Sequence, residues 1–183
     1  VYDLTKKKPK IVLDPCLLEE INYLNNVSRS INLSKDNYAV VYGNYFENQT
    51  IDIIKRYCKK NNLKTYSLSY FNKWVDENLL SINGDEFLNL FSNAKMVFTS
   101  TFHGIIFSCK YKKNFWISLE KAKFAKYDYF INYNKLENRF IKLENNLDEE
   151  INYKIFFNKI AELRLVSQKF LNDAIDKINE NYN

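Results

Sequence analysis

One stretch of the chain brings together residue types that could do chemistry at close spacing: Phe98-Thr99-Ser100-Thr101-Phe102-His103-Gly104-Ile105. An apolar strand reads as ending near Thr99, and a helix as beginning near Phe102. The first turn of a helix offers backbone N–H groups without intrahelical acceptors and the positive end of the helix dipole, which together make an anion site. Ser100 and Thr101 add hydroxyl donors, and Gly104 permits the close approach of a ligand or a neighbouring backbone. His103, the only histidine, puts an imidazole where a bound anion would hold it protonated. The same residues also have a purely structural reading, in which Ser100 or Thr101 caps the helix and His103 is a satisfied, half-buried side chain.

Other candidate groups are weaker. Cys16, Cys58 and Cys109 are odd in number and widely separated, and one histidine cannot complete a zinc site with them. They read as buried thiols of a protein kept in a reducing compartment. The carboxylates Asp14, Asp76, Asp85 and Glu120 have no paired spacing, and Trp74 and Trp116 read as core or interface residues. The formal net charge of +5 is mild, but residues 105–142 carry nine Lys/Arg against three Asp/Glu, and residues 143–183 five against eight. Lys121, Lys123 and Lys126 follow a strand ending near Leu119. One of them, Lys121 or Lys126, could help neutralise a bound anion, although solvated surface lysines are equally ordinary in so lysine-rich a chain. No nucleic-acid-binding motif is present, and the aromatic residues read as core, so nucleic acid is not an expected partner.

The elements that must position the Ser-Thr-Phe-His-Gly turn follow from composition and pattern. With 183 residues, 46% hydrophobic and 16% aromatic, the chain can bury a real core and is too apolar to be disordered. Three Gly and two Pro exclude collagen-like, glycine-rich and polyproline classes. The heavy use of Asn and Lys reads as a coding bias. The chain opens on Val1 with no signal-peptide pattern behind it, which reads as a processed or cloned piece of something longer. Its longest apolar run, residues 96–109, is interrupted and too short to span a bilayer, so a soluble protein is expected.

Residues 1–10 read as a linker. Residues 11–13 form a short apolar run stopped by Asp14-Pro15, a strand-to-turn signal, and residues 16–25 have helical spacing. After a polar stretch, residues 38–42 read as a strand buried on both faces and ended by Gly43. A helix over 49–62, a strand over 63–70, a loop through Trp74 and a helix starting at Gly84 follow. A strand over 95–99, a helix over 102–111 and a strand over 114–119 complete the alternation. Residues 151–181 give the clearest helical signal, with Phe156, Ile160, Leu163, Phe170, Ala174 and Ile178 on one stripe. Alternating strand and helix predict an α/β fold: a Rossmann-like three-layer domain over 11–183 with a parallel sheet, closed by a long C-terminal helix.

Four segments in order resemble the carboxyl-terminal half of the polysaccharide pyruvyl transferase family. They are Leu13-Asp14-Pro15-Cys16-Leu17-Leu18, residues 85–95, Val97-Phe98-Thr99-Ser100-Thr101-Phe102-His103-Gly104, and residues 154–175 with Arg164, Ser167, Phe170 and Leu171. The resemblance implies half of a GT-B-like architecture and transfer of a pyruvyl group from phosphoenolpyruvate to two sugar hydroxyls, forming a ketal on a cell-surface polysaccharide. It implies His103 as the catalytic residue holding the donor's phosphate or carboxylate, with Ser100, Thr101, Phe102 and Gly104 around it and no metal or separate cofactor. It further implies a glycan or lipid-linked sugar acceptor, an amino-terminal domain of the same protein as partner, and cytoplasmic action at the inner face of the membrane. The alternative is a GT-B glycosyltransferase domain whose corresponding edge holds a nucleotide sugar. Two departures stand out: Thr101 replaces an Arg found in some members, and Lys112-Lys113-Asn114 replaces a Gly-x-Pro before the next strand.

Overall fold

In a computed structural model of the chain, residue 6 and residues 10–18, 37–118 and 124–182 are described, with the backbone alone at 124–126 and 181–182. The chain divides into two compact units, Ile21–Ile151 and the pairing of Val1–Glu20 with Asn152–Asn183.

The first unit is built on five parallel strands. They are β1 (Tyr38–Tyr42), β2 (Lys64–Leu68), β3 (Glu77–Leu79), β4 (Met96–Thr99) and β5 (Phe115–Ile117), in the order β3-β2-β1-β4-β5. The expected α/β class and parallel sheet are thus observed, with β1, β2, β4 and β5 where strands were expected. Strand β1 is the axis, pairing with β2 on one side and with β4 on the other, where Tyr42 lies opposite Thr99. Its run of apolar residues is buried on both faces, as a central parallel strand requires. Side chains alternate between faces with period two. On one face Ala39, Met96, Phe98 and Trp116 pack against Ile54 and Cys58 of α2 (Asn48–Lys60) and against Leu147. On the other, the Tyr38 hydroxyl donates to the Leu90 carbonyl at 2.8 Å, and the Tyr42 ring meets Phe87 and Phe91. Those three residues belong to α3 (Gly84–Asn93).

Local chemistry sets the helix boundaries. Asn83 caps α3: its side chain accepts from the Glu86 amide, and the Glu86 carboxylate accepts from the Asn83 amide, both at 2.9 Å. Asp85 and Glu86 occupy its first turn, as the dipole favours. Helix α4 (Phe102–Lys110) is apolar almost all round and buries Ile105, Ile106, Ser108 and Cys109, a helix enclosed on most sides. Cys58 and Cys109 are both buried free thiols, whereas Cys16 is half-buried. Burial, with a smaller effect of Asp76, pushes the Cys58 thiol up to about 12, so at neutral pH it is an unreactive apolar group.

Three features of this unit were not expected. Strand β3 is a short, half-exposed edge of polar composition. Helix α5 (Phe124–Asn134) occupies the stretch that had been read only for its lysines. Beyond it, Phe140 pairs with Ile117 in parallel and the Ile141 amide donates to the Ile117 carbonyl at 3.0 Å, extending the sheet past β5. Arg139 anchors this return. Its buried guanidinium lies 5.0 Å from the Trp116 ring and donates to the Asn114 side chain and to the Glu149 and Glu150 carbonyls. The Trp116 indole N–H donates to the Leu147 carbonyl at 3.1 Å.

In the second unit, residues 11–13 are not the strand expected of them. They run beside α6 (Tyr153–Tyr182), and the Leu13 amide donates to Ser167 Oγ at 2.9 Å instead of to another strand. Asp14 caps the next turn, α1 (Pro15–Leu18), accepting from the Cys16 amide at 2.9 Å, with Pro15 in the first helical position where a missing N–H costs nothing. Residues 19–25 of the expected helix lie outside the described residues. Arg164 donates to the Leu17 carbonyl at 3.1 Å, and the Lys10 ammonium lies 5.7 Å from the centre of the Phe170 ring. The expected apolar stripe of α6 is only partly buried. Phe156 and Ile160 are enclosed, but Phe170 and Ile178 are exposed at 37% and 54%. A 30-residue helix rises about 45 Å, far longer than the segment 10–18 lying along it. Among the described residues no helix is long and apolar enough to cross a membrane.

Candidate functional site

The strand order reverses direction between β1 and β4, so their carboxyl ends flank the topological switch point at which open parallel sheets bind ligands. The two loops leaving it diverge to opposite faces: β1 leads through Gly43-Asn44-Tyr45-Phe46-Glu47 into α2, and β4 leads through Ser100-Thr101 into α4. The Ser-Thr-Phe-His-Gly turn therefore sits at the one place on the sheet edge where topology opens a crevice.

The turn is held tightly. The Ser100 amide and the Thr99 hydroxyl both donate to the Tyr42 carbonyl, at 3.1 and 2.8 Å. Thr99 Oγ1 in turn accepts from the Thr101 amide at 3.1 Å. Thr101 is the N-cap of α4, its side chain accepting from the Gly104 amide at 3.0 Å, with its carbonyl taking the Ile105 amide at 3.3 Å. Such a cap contributes about 1 kcal/mol. Ser100 is buried and its hydroxyl accepts from the Tyr45 amide at 3.2 Å, tying the two loops of the crevice together.

Gly43 makes that contact possible. Its φ of +127° is open chiefly to glycine, and a Cβ there would overlap the Ser100 hydroxyl. Gly104, read from the sequence as admitting a ligand or a neighbouring backbone, admits the side chain of Thr99, which a Cβ on it would overlap. It lets helix pack on strand.

His103 is exposed at the second position of α4. Thr101 flanks it as a half-buried residue, and the neighbouring Phe102 ring stacks on Tyr127 with centroids 5.3 Å apart and planes 3° from parallel. Phe102 also meets Phe130 edge-on at 5.6 Å. Phe102 is thus committed to docking α5 beside the turn. Lys126 lies on that helix next to Tyr127, its backbone alone described, and Lys121 lies outside the described residues.

The helix N-termini at this edge differ in charge. Glu47 is the N-cap of α2, and Asp85 and Glu86 fill the first turn of α3, whereas the first turn of α4 has no acidic residue and carries the histidine. A carboxylate at a helix start already uses the positive dipole end and repels another anion. Of these three helices, α4 is the one with no acidic residue at its N-cap or in its own first turn. Among the described residues, several basic groups of the stretch 105–142 lie away from that first turn. Lys110, Lys112 and Lys113 lie at the far end of α4, leading into the start of β5 and so at the opposite edge of the sheet, and Arg139 is buried against Trp116. Burial, with a smaller push from Lys95, lowers the Lys113 ammonium below its usual range. A separate cleft of about 290 Å³ lies between the start of α2 and residues 141–144, lined by Glu47, Thr50, Lys142 and Glu144 among others.

The sequence missed Asn72. It is buried in the loop after β2, where its side-chain amide donates to the Gly43 carbonyl at 2.9 Å and to Ser67 Oγ at 2.8 Å. Asp76, weighed as a possible catalytic carboxylate, instead accepts from the Thr65 amide and hydroxyl at 2.7 and 2.8 Å, closing the same loop.

An all-parallel sheet of this order, with a hydroxyl-rich turn and a histidine-bearing helix start at its switch point, is that of a doubly wound α/β protein. The family model described as polysaccharide pyruvyl transferase matches residues 2–118, more than half of the chain and all of the crevice. The chain belongs to the polysaccharide pyruvyl transferase family. No curated protein and no solved structure is significantly similar to it.

Proposed function

We propose that this chain is the donor-binding half of a polysaccharide pyruvyl transferase with a GT-B-like arrangement, in which the phosphate of phosphoenolpyruvate sits at the N-terminus of α4. The observation that carries this reading is the position of His103: in the acid-free first turn of α4, at the switch point, in a chain of this family. Phosphoenolpyruvate is a small trianion, and helix amides with an imidazole can meet a phosphate without a metal ion. Two sugar hydroxyls add to its central carbon, the methylene takes up a proton to become a methyl group, and inorganic phosphate leaves as the ketal forms. His103 would hold the phosphate and stabilise the charge it carries away. Thr101 sets the helix start, Ser100 fixes the turn against the β1 loop, and Lys121 or Lys126 would lend further positive charge. The acceptor, a glycan or a lipid-linked sugar at the inner face of the membrane, would be presented by an amino-terminal domain, so this half alone binds donor and transfers nothing.

A nucleotide-sugar donor is less well served. The turn after β1 has a single glycine and ends on Glu47 at the start of α2, which opposes a diphosphate at that helix. Titration of the chain with phosphoenolpyruvate should move amide resonances from Thr99 to Ile105, while UDP- and GDP-sugars should leave them in place. In the full-length enzyme, His103→Ala should lower kcat/KM for phosphoenolpyruvate by about a hundredfold. Unchanged kinetic constants would remove His103 from the site.

A further inference from the structure

We propose that Asn72 is a positioning residue for the donor site, acting through Gly43 to hold the β1 loop and the Ser100 turn in register; this rests on the site reading above. Three strand ends are laced by one buried amide. Asn72 Nδ2 donates to the carbonyl of Gly43, at the end of β1, and to Ser67 Oγ, in β2. Asn72 is itself clamped by Asn78 of β3, whose side chain accepts from the Asn72 amide at 2.8 Å and donates to its carbonyl at 3.1 Å. The chain of contacts continues from Gly43, whose missing Cβ leaves room for Ser100, to the Ser100 hydroxyl that accepts from Tyr45.

A side-chain amide suits this place. The acceptor it serves is a backbone carbonyl, which needs an N–H or O–H donor. The carbonyl belongs to a glycine with φ of +127°, a residue whose backbone is free enough that a fixed donor is needed to hold its orientation. Asn72 lies in the loop after β2 and touches the Ser100 turn only through Gly43, so its effect on the donor would be exerted through the position of the loop.

The test uses the 183-residue chain, phosphoenolpyruvate as the probe, and three variants. Asn72→Asp keeps the shape and loses the N–H donors, Asn72→Ala loses both, and Asn114→Ala removes a half-buried partner of Arg139 at the opposite sheet edge. Both Asn72 variants should shift the Tyr45 and Ser100 amide resonances without ligand, and weaken phosphoenolpyruvate binding about tenfold, the scale of one unpaired buried polar group. Asn114→Ala should lower the unfolding midpoint while leaving the affinity unchanged. If the Asn72→Ala chain fails to fold, the isosteric Asn72→Asp carries the measurement. Wild-type binding matched by both Asn72 variants overturns the positioning role alone. A wild-type chain whose Thr99–Ile105 amides ignore phosphoenolpyruvate overturns the site reading and this inference with it.

Discussion

A Cβ on Gly104 would overlap Thr99 Oγ1 and lie 2.7 Å from Thr99 Cβ, so this one residue sets how closely α4 follows β4. Helix propensity alone makes Gly104→Ala stabilising by about 1 kcal/mol. The overlap opposes it, and Thr99 cannot swing aside without giving up the 2.8 Å bond from its hydroxyl to the Tyr42 carbonyl. Overpacking of this kind costs about 1–3 kcal/mol, so a net loss of stability is expected in urea denaturation. Gly84→Ala, where nothing lies within 4 Å of the added carbon, should be neutral or stabilising. Equal midpoints for the two variants would show that α4 is free to shift away from β4. The His-Gly pair was legible in the sequence as a marked site, but not which neighbour the glycine serves, because a missing side chain does not say what fills its space. Asn72 was not legible at all. It is one of 26 asparagines, and the carbonyl it serves is 29 residues away.

Where α4 ends, Lys112 takes a φ of +53°, and the next amide, of Lys113, donates back to the Ser108 carbonyl at 2.8 Å. This is the left-handed residue that closes many helices, a place where glycine is favoured. It is also the point at which the resemblance led one to expect a Gly-x-Pro, and Lys112 takes a glycine-favoured conformation without being glycine. Relieving the left-handed strain gains more than the freedom glycine adds to the unfolded chain, and Lys112→Gly should stabilise the protein by up to about 1 kcal/mol. Chemical denaturation checks the sign; a loss would mean that the contacts of the lysine outweigh its backbone strain. At this scale the sequence was most readable where pattern and punctuation agree: β1 ended by Gly43, α3 starting at Gly84, β4 followed by Ser100 or Thr101 as a cap. It was least readable where packing alone decides. Strand β3 has three residues and a polar composition. Helix α5 reads FAKYDYFINYN, with too few clean apolar steps to stand out.

The order of the strands could not have been read from the chain, because a strand buried on both faces is apolar throughout and does not encode its neighbours. What the alternation of elements did imply was a parallel sheet, and the crevice follows once β1 lies between β2 and β4. The unit Ile21–Ile151 holds all five strands and both loops of the crevice. A core cluster on one face of its sheet is made of described residues between Ala39 and Leu147, and the buried Arg139 finds partners in Asn114, Glu149 and Glu150. The lacing from Asn78 through Asn72 and Gly43 to Ser100 lies within it as well. A protein made of residues 21–151 should therefore unfold cooperatively. Trp74 and Trp116 both fall inside it, so tryptophan fluorescence and far-UV circular dichroism should report coincident transitions. The phosphoenolpyruvate response at Thr99–Ile105 should persist with them. Separate transitions, or the loss of near-UV signal with helical content retained, would show that the sheet needs residues beyond this unit to hold its packing.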